Sequence, residues 1–314
     1  MEMRAAPSGA KIGSTGSSPA APFPLGSIPL GRKWAVQVTG KRQRLEEPGL
    51  MGDYTDLPGV RTWYEAEGAG DPLVLLHGGF CTAATWGAQR ADLAAAYRVL
   101  LPERRAHGHT PDVEGPLTYQ DMADDMAAFV EKIAGGPAHL VGWSDGGVVA
   151  LLLSLTRPEL VRKVVVIGAN FLPGPECFVK PEMLDTMTAD GDDLDFFRQM
   201  YEAVTPDGSG HWPVVARKII EMWRTQPTIS TADLARISAP TLVMVGDDDM
   251  MTLEHTNALY SGLPQGSLAV VPGASHLVPL EKPGLVNRLI LDHLAQDSVE
   301  TMMPVRRGPS QQSL

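Results

Sequence analysis

Ser144, His276 and Asp249 are of the three residue types that together form an activated serine nucleophile. Each of them follows a short apolar run. A serine hydroxyl is a poor nucleophile at neutral pH, so it needs a base, and the base needs a carboxylate that orients it. Ser144 is therefore predicted to be the nucleophile, His276 the general base and Asp249 the orienting acid.

Ser144 stands in the string Gly142-Trp143-Ser144-Asp145-Gly146. Residues 139–141 before it are typical of a buried strand, and the apolar run 148–155 after it is typical of a buried helix. A strand, a sharp turn and a helix are the context in which G-x-S-x-G indicates a nucleophile. Glycines at 142 and 146 would remove collisions in such a turn, and the serine would stand at a helix N-terminus that favours negative charge.

His276 follows a predicted strand in the string Pro272-Gly273-Ala274-Ser275-His276, and three consecutive aspartates follow an earlier strand at Gly246. Asp249 is preferred as the acid because a G-x-x-D turn carries its carboxylate away from the strand end. Asp247 remains the alternative, and loop capping is the ordinary role for Asp247 and Asp248.

Acyl transfer also requires hydrogen-bond donors for the oxyanion that develops on the carbonyl oxygen. The backbone N–H of Asp145, directly after the nucleophile, is one predicted donor. The other is predicted in the loop His77-Gly78-Gly79-Phe80, at the N–H of Gly79 or Phe80, where small glycines let the backbone approach a substrate closely.

Apolar runs alternate with helical patterns through most of the chain, which predicts an α/β fold with a doubly wound, mostly parallel sheet. The catalytic groups should then lie on loops at the carboxyl ends of the strands. Residues 171–237 interrupt this alternation with helical segments near 181–189, 193–204, 212–225 and 231–237, which predicts a helical cap between two strands.

The remaining boundaries divide the chain into five parts. Residues 51–170 and 238–297 are predicted to form the two parts of the α/β core around the cap. Residues 1–50, rich in Gly, Pro, Ala and Ser, are predicted to be a disordered or loosely packed extension, and residues 298–314 a disordered tail.

Composition limits the remaining functions. The net charge of −11 argues against nucleic acid or an anionic membrane as a partner, and no apolar run is long enough to cross a bilayer. The absence of a secretory pattern and the presence of only two cysteines favour the cytoplasm. His107 and His109 lack a third metal ligand nearby, so no metal is predicted. No glycine-rich nucleotide-binding loop followed by Lys-Ser/Thr occurs, and no cofactor is predicted. The expected partner is a small-molecule substrate, and a homo-oligomer is left open.

Residues 55–296 resemble the α/β-hydrolase superfamily, in which the order Ser…Asp…His is the usual one. The resemblance is carried by five strings: His77-Gly78-Gly79, Arg105-Ala106-His107-Gly108-His109-Thr110, Gly142-Trp143-Ser144-Asp145-Gly146, Gly246-Asp247-Asp248-Asp249 and Gly273-Ala274-Ser275-His276. The longer string through Gly147, with Gly168-Ala169-Asn170 after the next strand, is similar to the valacyclovir-hydrolase-like (biphenyl-hydrolase-like) branch.

In that branch the aspartate after the serine is implicated in holding a substrate amino group, so the resemblance implies substrate binding by Asp145. The alternative is that Asp145 only caps its helix. Trp143 is a second predicted substrate contact. The chain departs from the family where Glu103 and Ala106 replace the usual Asp and first Gly of the loop Asp-Arg-x-Gly-His-Gly, and a small local rearrangement is expected there.

These residues predict a serine hydrolase that cleaves a carboxylic ester, lactone, amide or thioester of a small, largely apolar molecule. Two alternative enzymes could use the same triad, a cofactor-free perhydrolase or haloperoxidase and a C–C bond hydrolase. A ligand-binding receptor on the same fold is the non-enzymatic alternative.

Overall fold

The computed structural model describes residues 52–295 and 302–303. The predicted extension over residues 1–50 lies outside the described residues, as does most of the predicted tail over residues 298–314. Among the described residues, no helix combines the length and the apolar character needed to span a membrane.

Within the described residues, eight strands form one sheet. The strands are β1 (Asp53–Leu57), β2 (Val60–Glu67), β3 (Pro72–Leu76), β4 (Arg98–Pro102), β5 (Ala138–Trp143), β6 (Val161–Ile167), β7 (Thr241–Gly246) and β8 (Gly266–Val271). Their spatial order is β1-β2-β4-β3-β5-β6-β7-β8. Pairing is antiparallel for β1 with β2 and for β2 with β4, and parallel through the rest of the sheet. The predicted doubly wound, mostly parallel sheet is confirmed.

Helices connect the parallel strands. They are α1 (Gly87–Ala94), α2 (Tyr119–Phe129), α3 (Asp145–Thr156), α4 (Glu182–Thr186), α5 (Asp195–Glu202), α6 (Trp212–Thr225), α7 (Thr231–Leu234), α8 (Leu253–Gly262), α9 (Val278–Glu281) and α10 (Pro283–Ala295). Strand β1 was not predicted, although the Pro58-Gly59 turn that joins it to β2, with Gly59 at φ 85°, is an ordinary hairpin signature.

Both faces of the sheet are covered, which explains why its central strands are apolar without alternation. In β3, Val74 and Leu76 pack into the cluster that contains α2 and α3, while Leu73 and Leu75 pack into the cluster that contains α1 and α10. Each of these four side chains is fully buried, and each contributes about 1.5–3 kcal/mol to stability.

Between β6 and β7 the chain forms α4 to α7, with no strand among its described residues. Residues 171–237 are called the helical insert below. Three of its four α-helices, α4, α5 and α7, are shorter than predicted, and α6 has the predicted bounds. That the insert acts as a cap over a substrate remains a prediction.

The parallel strands place the candidate catalytic residues at one edge of the sheet. Ser144 follows β5 directly, Asp249 follows β7, His276 follows β8, and the loop 77–80 follows β3. Because the carboxyl ends of β3, β5, β7 and β8 share an edge, residues far apart in sequence meet there.

Candidate active site

The turn at Ser144 has the strained geometry that the flanking glycines predict. Ser144 has φ 54° and ψ −121°, a conformation that non-glycine residues rarely adopt. A Cβ on Gly142 would lie 2.2 Å from the carbonyl oxygen of Gly146, and a Cβ on Gly146 would lie 2.0 Å from the carbonyl oxygen of Leu76. Backbone therefore occupies the space that any side chain at 142 or 146 would need.

Replacing Gly146 with alanine is expected to destabilise the fold by at least about 1–3 kcal/mol, because the new methyl group overlaps the β3 backbone, which cannot move aside. Urea denaturation would measure the loss. Gly87→Ala is the matched control, since Gly87 has helical dihedral angles and open space around its Cβ position, and it should change stability by less than about 1 kcal/mol. Equal stability of the two variants would contradict the steric account.

Asp249 and His276 form a hydrogen-bonded pair. The His276 Nδ1 atom lies 2.8 Å from Asp249 Oδ1, which also accepts the N–H of Met251 at 3.0 Å. The Asp249 side chain is fully buried, whereas the His276 side chain is 16 % exposed. Burial would raise the pKa of Asp249, but His276 and the backbone N–H groups of Met251 and Gly246 together lower the pKa below its ordinary value. Asp249 is therefore an ionised acceptor that fixes the Nδ1–H tautomer of His276.

The neighbouring aspartates have other contacts. Asp247 Oδ1 accepts the N–H groups of Gly273 at 2.7 Å and Ala274 at 3.2 Å, so it braces the loop that carries His276. Asp248 is exposed, and its N–H donates to the carbonyl oxygen of Ala274. Of the three aspartates, Asp249 is the one that the structure pairs with His276.

A fixed contact joins the strand before Ser144 to the loop of His276. The indole Nε1 of Trp143 donates to the carbonyl oxygen of His276 at 2.9 Å, and the ring centroids of the two residues lie 6.2 Å apart. Gly168 packs against the pair, since a Cβ there would lie 2.9 Å from the His276 ring. Trp143 itself is 3 % exposed, and its predicted contact with substrate remains a prediction.

The loop after β3 lies against Ser144. A Cβ on Gly78 would be 3.5 Å from the Cβ of Ser144, and the Cys81 N–H to Gly78 carbonyl bond closes a turn in which Phe80 has φ 58°. Among the described residues, the backbone N–H groups of Gly79, Phe80 and Asp145 donate to no protein acceptor. They are free to bind an oxyanion, and that role remains a prediction.

A buried arginine holds this loop by hydrogen bonds to its backbone. Arg104 is fully buried, and its guanidinium donates to the carbonyl oxygens of His77 and of Gly78, the latter at 3.1 Å. Burial, followed by the positive charge of Arg104, holds the pKa of His77 well below its usual range, so the imidazole is neutral. His77 accordingly belongs to the support of the loop, and sequence reasoning did not single out Arg104.

The loop with the substituted family residues is held by the Glu103 side chain, and the expected rearrangement relative to the family remains a prediction. The Glu103 carboxylate is buried and accepts the N–H of Ala83 at 3.0 Å, the N–H of His109 at 2.6 Å and the His109 ring at 2.9 Å. Ala106, where the family usually has glycine, takes φ 63°. Glu103 thus fastens the loop from inside while Ala106 tolerates a left-handed conformation that costs it about 1–2 kcal/mol.

The Asp145 side chain has partners that sequence reasoning missed. Its Oδ1 accepts the Tyr119 hydroxyl at 2.8 Å, and both carboxylate oxygens accept the Trp223 indole N–H, at 2.9 and 3.0 Å. Asp145 is 4 % exposed. Burial raises the pKa of Asp145, although Arg104, Trp223 and Tyr119 act in the opposite direction. Binding of a substrate amino group by Asp145 remains a prediction, and such a group would have to compete with two internal donors.

No group of three or more His, Cys, Asp or Glu side chains suited to a metal ion occurs in the described part of the chain. The candidate donors of the site are instead backbone N–H groups, and Asp249 and His276 form its carboxylate–imidazole hydrogen bond. This arrangement can perform nucleophilic attack by a hydroxyl with proton transfer through an imidazole.

Comparison with known proteins identifies the family of this chain. Residues 73–289 match the family model described as "Alpha/beta hydrolase family". The chain is 29 % identical to 2-hydroxy-6-oxo-6-phenylhexa-2,4-dienoate hydrolase of Burkholderia cepacia, over 82 % of this chain and 96 % of that protein. It is 27 % identical to pimeloyl-[acyl-carrier protein] methyl ester esterase of Nitrosospira multiformis, over 71 % of this chain and 94 % of that protein.

Among solved structures, the chain is similar in fold to a meta-cleavage product hydrolase from Pseudomonas fluorescens IP01. The TM-score is 0.63 at 23 % identity, and the match covers 77 % of this chain and 97 % of that one. Together these similarities confirm the predicted resemblance to the biphenyl-hydrolase-like branch.

Proposed function

Because the chain belongs to the alpha/beta hydrolase family, we propose that it is a serine hydrolase that cleaves a carboxylic ester, lactone, amide or thioester through an acyl-enzyme. Two of its relatives are named as a hydrolase and as a methyl ester esterase. The Ser144–His276–Asp249 triad is the finer part of the proposal.

In the proposed reaction Ser144 Oγ attacks the substrate carbonyl while His276 accepts its proton at Nε2, since Nδ1 is occupied by Asp249. The backbone N–H groups of Asp145 and of Gly79 or Phe80 bind the oxyanion. The imidazolium then protonates the leaving group, and its charge is stabilised by the buried Asp249 carboxylate. Water, deprotonated by His276, hydrolyses the acyl-enzyme and regenerates Ser144.

One observation carries the proposal: a histidine held at 2.8 Å by an ionised, fully buried carboxylate lies at the sheet edge where a serine occupies a strained strand-to-helix turn. A serine at φ 54° does not help to stabilise the fold, because a glycine at this position would avoid the backbone strain. The strain is explained if the turn exists to present the hydroxyl.

The surroundings support a largely apolar acyl group. The buried Phe80 ring packs against Phe197, Trp212 and Trp223 of the helical insert, at centroid distances of 5.8, 5.1 and 5.0 Å. The nearby Asp145 carboxylate already accepts two internal donors. The residues around the turn are therefore mainly aromatic, and the nearby carboxyl group already has hydrogen-bond partners. We place the reaction in the cytoplasm, and the two unpaired thiols of Cys81 and Cys177 fit that compartment.

A C–C bond hydrolase is the second candidate, because the Burkholderia relative is named as a hydrolase of a phenylhexadienoate. Such a substrate combines a carbonyl carbon, which the same serine could attack, with a phenyl group that aromatic side chains could hold. The ester and C–C reactions differ in the leaving group, so parallel assays separate them.

Labelling with an alkyl fluorophosphonate tests the serine mechanism directly. We expect about one phosphonyl group per chain, located on the peptide that contains Ser144 by mass spectrometry, because the reagent reacts with activated serines. His276→Ala, which removes the base, should label far more slowly. A wild-type protein that resists labelling would favour the non-enzymatic receptor. A parallel assay with p-nitrophenyl butyrate and with 2-hydroxy-6-oxo-6-phenylhexa-2,4-dienoate would then decide between the two enzymatic candidates.

A further inference from the structure

Trp223 of α6 connects the helical insert to the turn that presents Ser144. Its indole Nε1 donates to both oxygens of the Asp145 carboxylate, at 2.9 and 3.0 Å. Asp145 is the residue directly after the nucleophile and the first residue of α3. The contact uses both carboxyl oxygens of that residue, so it ties the start of α3 to α6 of the helical insert.

The same indole also contacts the loop on the other side of Ser144. A Cβ on Gly79 would lie 2.5 Å from Cζ2 of Trp223, so the ring packs directly on the backbone at Gly79. The Phe80 ring meets the Trp223 ring edge to face, with centroids 5.0 Å apart. Trp223 therefore touches Gly79, Phe80 and Asp145, the three residues whose backbone N–H groups are the proposed oxyanion donors.

This loop needs external support, because Phe80 adopts a left-handed conformation that is unfavourable for a bulky residue. Strained backbone persists where the surrounding packing over-determines it. Arg104 holds the loop through the carbonyl oxygens of His77 and Gly78, which precede the proposed donors. Trp223 acts on Gly79 and Phe80 themselves.

We propose that Trp223 is a positioning residue that holds the backbone N–H groups of Gly79, Phe80 and Asp145 in the geometry of an oxyanion hole. The inference rests on the proposed serine hydrolase function and assigns the helical insert a part in it. An oxyanion donor stabilises charge that develops mainly in the transition state, so a misplaced donor slows turnover more than it weakens substrate binding. Loss of Trp223 should therefore lower kcat and leave KM nearly unchanged.

Trp223→Phe tests this role, because it keeps an aromatic ring against Phe80 and removes the N–H that binds Asp145. With p-nitrophenyl butyrate we expect kcat to fall about tenfold or more, within the roughly 10²–10³-fold cost of losing a whole oxyanion donor, while KM stays within about threefold. The matched control is Tyr201→Phe, which removes one polar donor from a buried ring of the same insert. Tyr201 lies on α5, and its hydroxyl donates to Asp207 at 3.3 Å and not to Asp145; the substitution keeps the ring, so kcat should stay within about twofold.

Thermal melting of both variants shows that each is folded at the assay temperature. If Trp223→Phe does not fold, Trp223→His takes its place, because it keeps a ring N–H but lacks the six-membered ring whose Cζ2 packs on Gly79, and the proposal predicts the same loss of kcat without a rise in KM. Equal kcat values for wild type and the folded variant would overturn the proposal, and so would a rise in KM alone, which would make Trp223 a substrate contact. Failure of the underlying function is distinguishable, because Ser144→Ala would then hydrolyse the ester as fast as wild type.

Discussion

Ser144→Ala is expected to lower kcat for p-nitrophenyl butyrate on the order of 10⁶-fold, which is the cost of removing a catalytic serine from a triad. The reason is that the proposed acyl-enzyme forms on the Ser144 hydroxyl, which this substitution removes. His276 would then act on water alone, without a covalent step. A residual acceleration of roughly 10³–10⁴-fold over water should remain, because the oxyanion donors and substrate binding do not depend on the hydroxyl.

The measurement is initial release of p-nitrophenol at several ester concentrations, with both proteins purified by the same protocol. A matched melting temperature would show that the variant is folded, which the structure leads us to expect because Ser144 lends no side-chain hydrogen bond to the cap of α3. Ser154→Ala is a suitable second control, since its hydroxyl donates within α3 to the carbonyl oxygen of Ala150, remote from the sheet edge. Equal rates for wild type and Ser144→Ala would refute the serine mechanism.

The part of the site that sequence predicts best is the part that local sterics determine. The turn at Ser144 requires glycine at positions 142 and 146. In the structure, backbone oxygen atoms lie 2.0–2.2 Å from the positions that Cβ atoms would take there. A requirement of this kind is written in adjacent residues. The order of strands and helices is predictable for a similar reason, because fully apolar runs identify strands that are buried on both faces.

The partners of Asp145 could not be predicted in this way. Tyr119 and Trp223 come from α2 and from the helical insert, and no sequence spacing relates them to residue 145. A buried carboxylate is stable only where several donors converge on it, and such convergence is a property of the tertiary fold. Sequence alone therefore does not decide whether the Asp145 side chain binds a ligand, caps its helix or accepts hydrogen bonds from buried side chains.

The choice among the aspartates after β7 was less predictable than the turn at Ser144 and more predictable than the partners of Asp145. Turn geometry favoured Asp249 over Asp247, and the structure gives each a separate partner: His276 for Asp249, and the N–H groups of Gly273 and Ala274 for Asp247. Both carboxylates thus act on the same loop. One holds its backbone and the other holds its imidazole, so their replacement should have different consequences.

Asp249→Asn is expected to lower kcat roughly 10⁴-fold. An ionised Asp249 accepts the Nδ1 proton of His276 and leaves Nε2 free to take a proton from Ser144. An asparagine amide can instead donate to Nδ1, which moves the imidazole proton to Nε2, where it blocks the base. The amide also cannot stabilise an imidazolium by charge. Both effects act on the transition state, so KM should change much less than kcat.

Asp247→Asn provides the contrast that separates the two roles. It keeps one carbonyl oxygen for the N–H groups of Gly273 and Ala274, so we expect a modest loss of stability and a kcat within about tenfold of wild type. Asp248→Asn, at an exposed position, should match wild type in both measurements. Kinetics with p-nitrophenyl butyrate and urea denaturation of all three variants would decide the assignment. If Asp247→Asn lost activity as severely as Asp249→Asn, the hydrogen bond at 2.8 Å would not identify the catalytic acid, because positioning of the loop would then account for the whole effect.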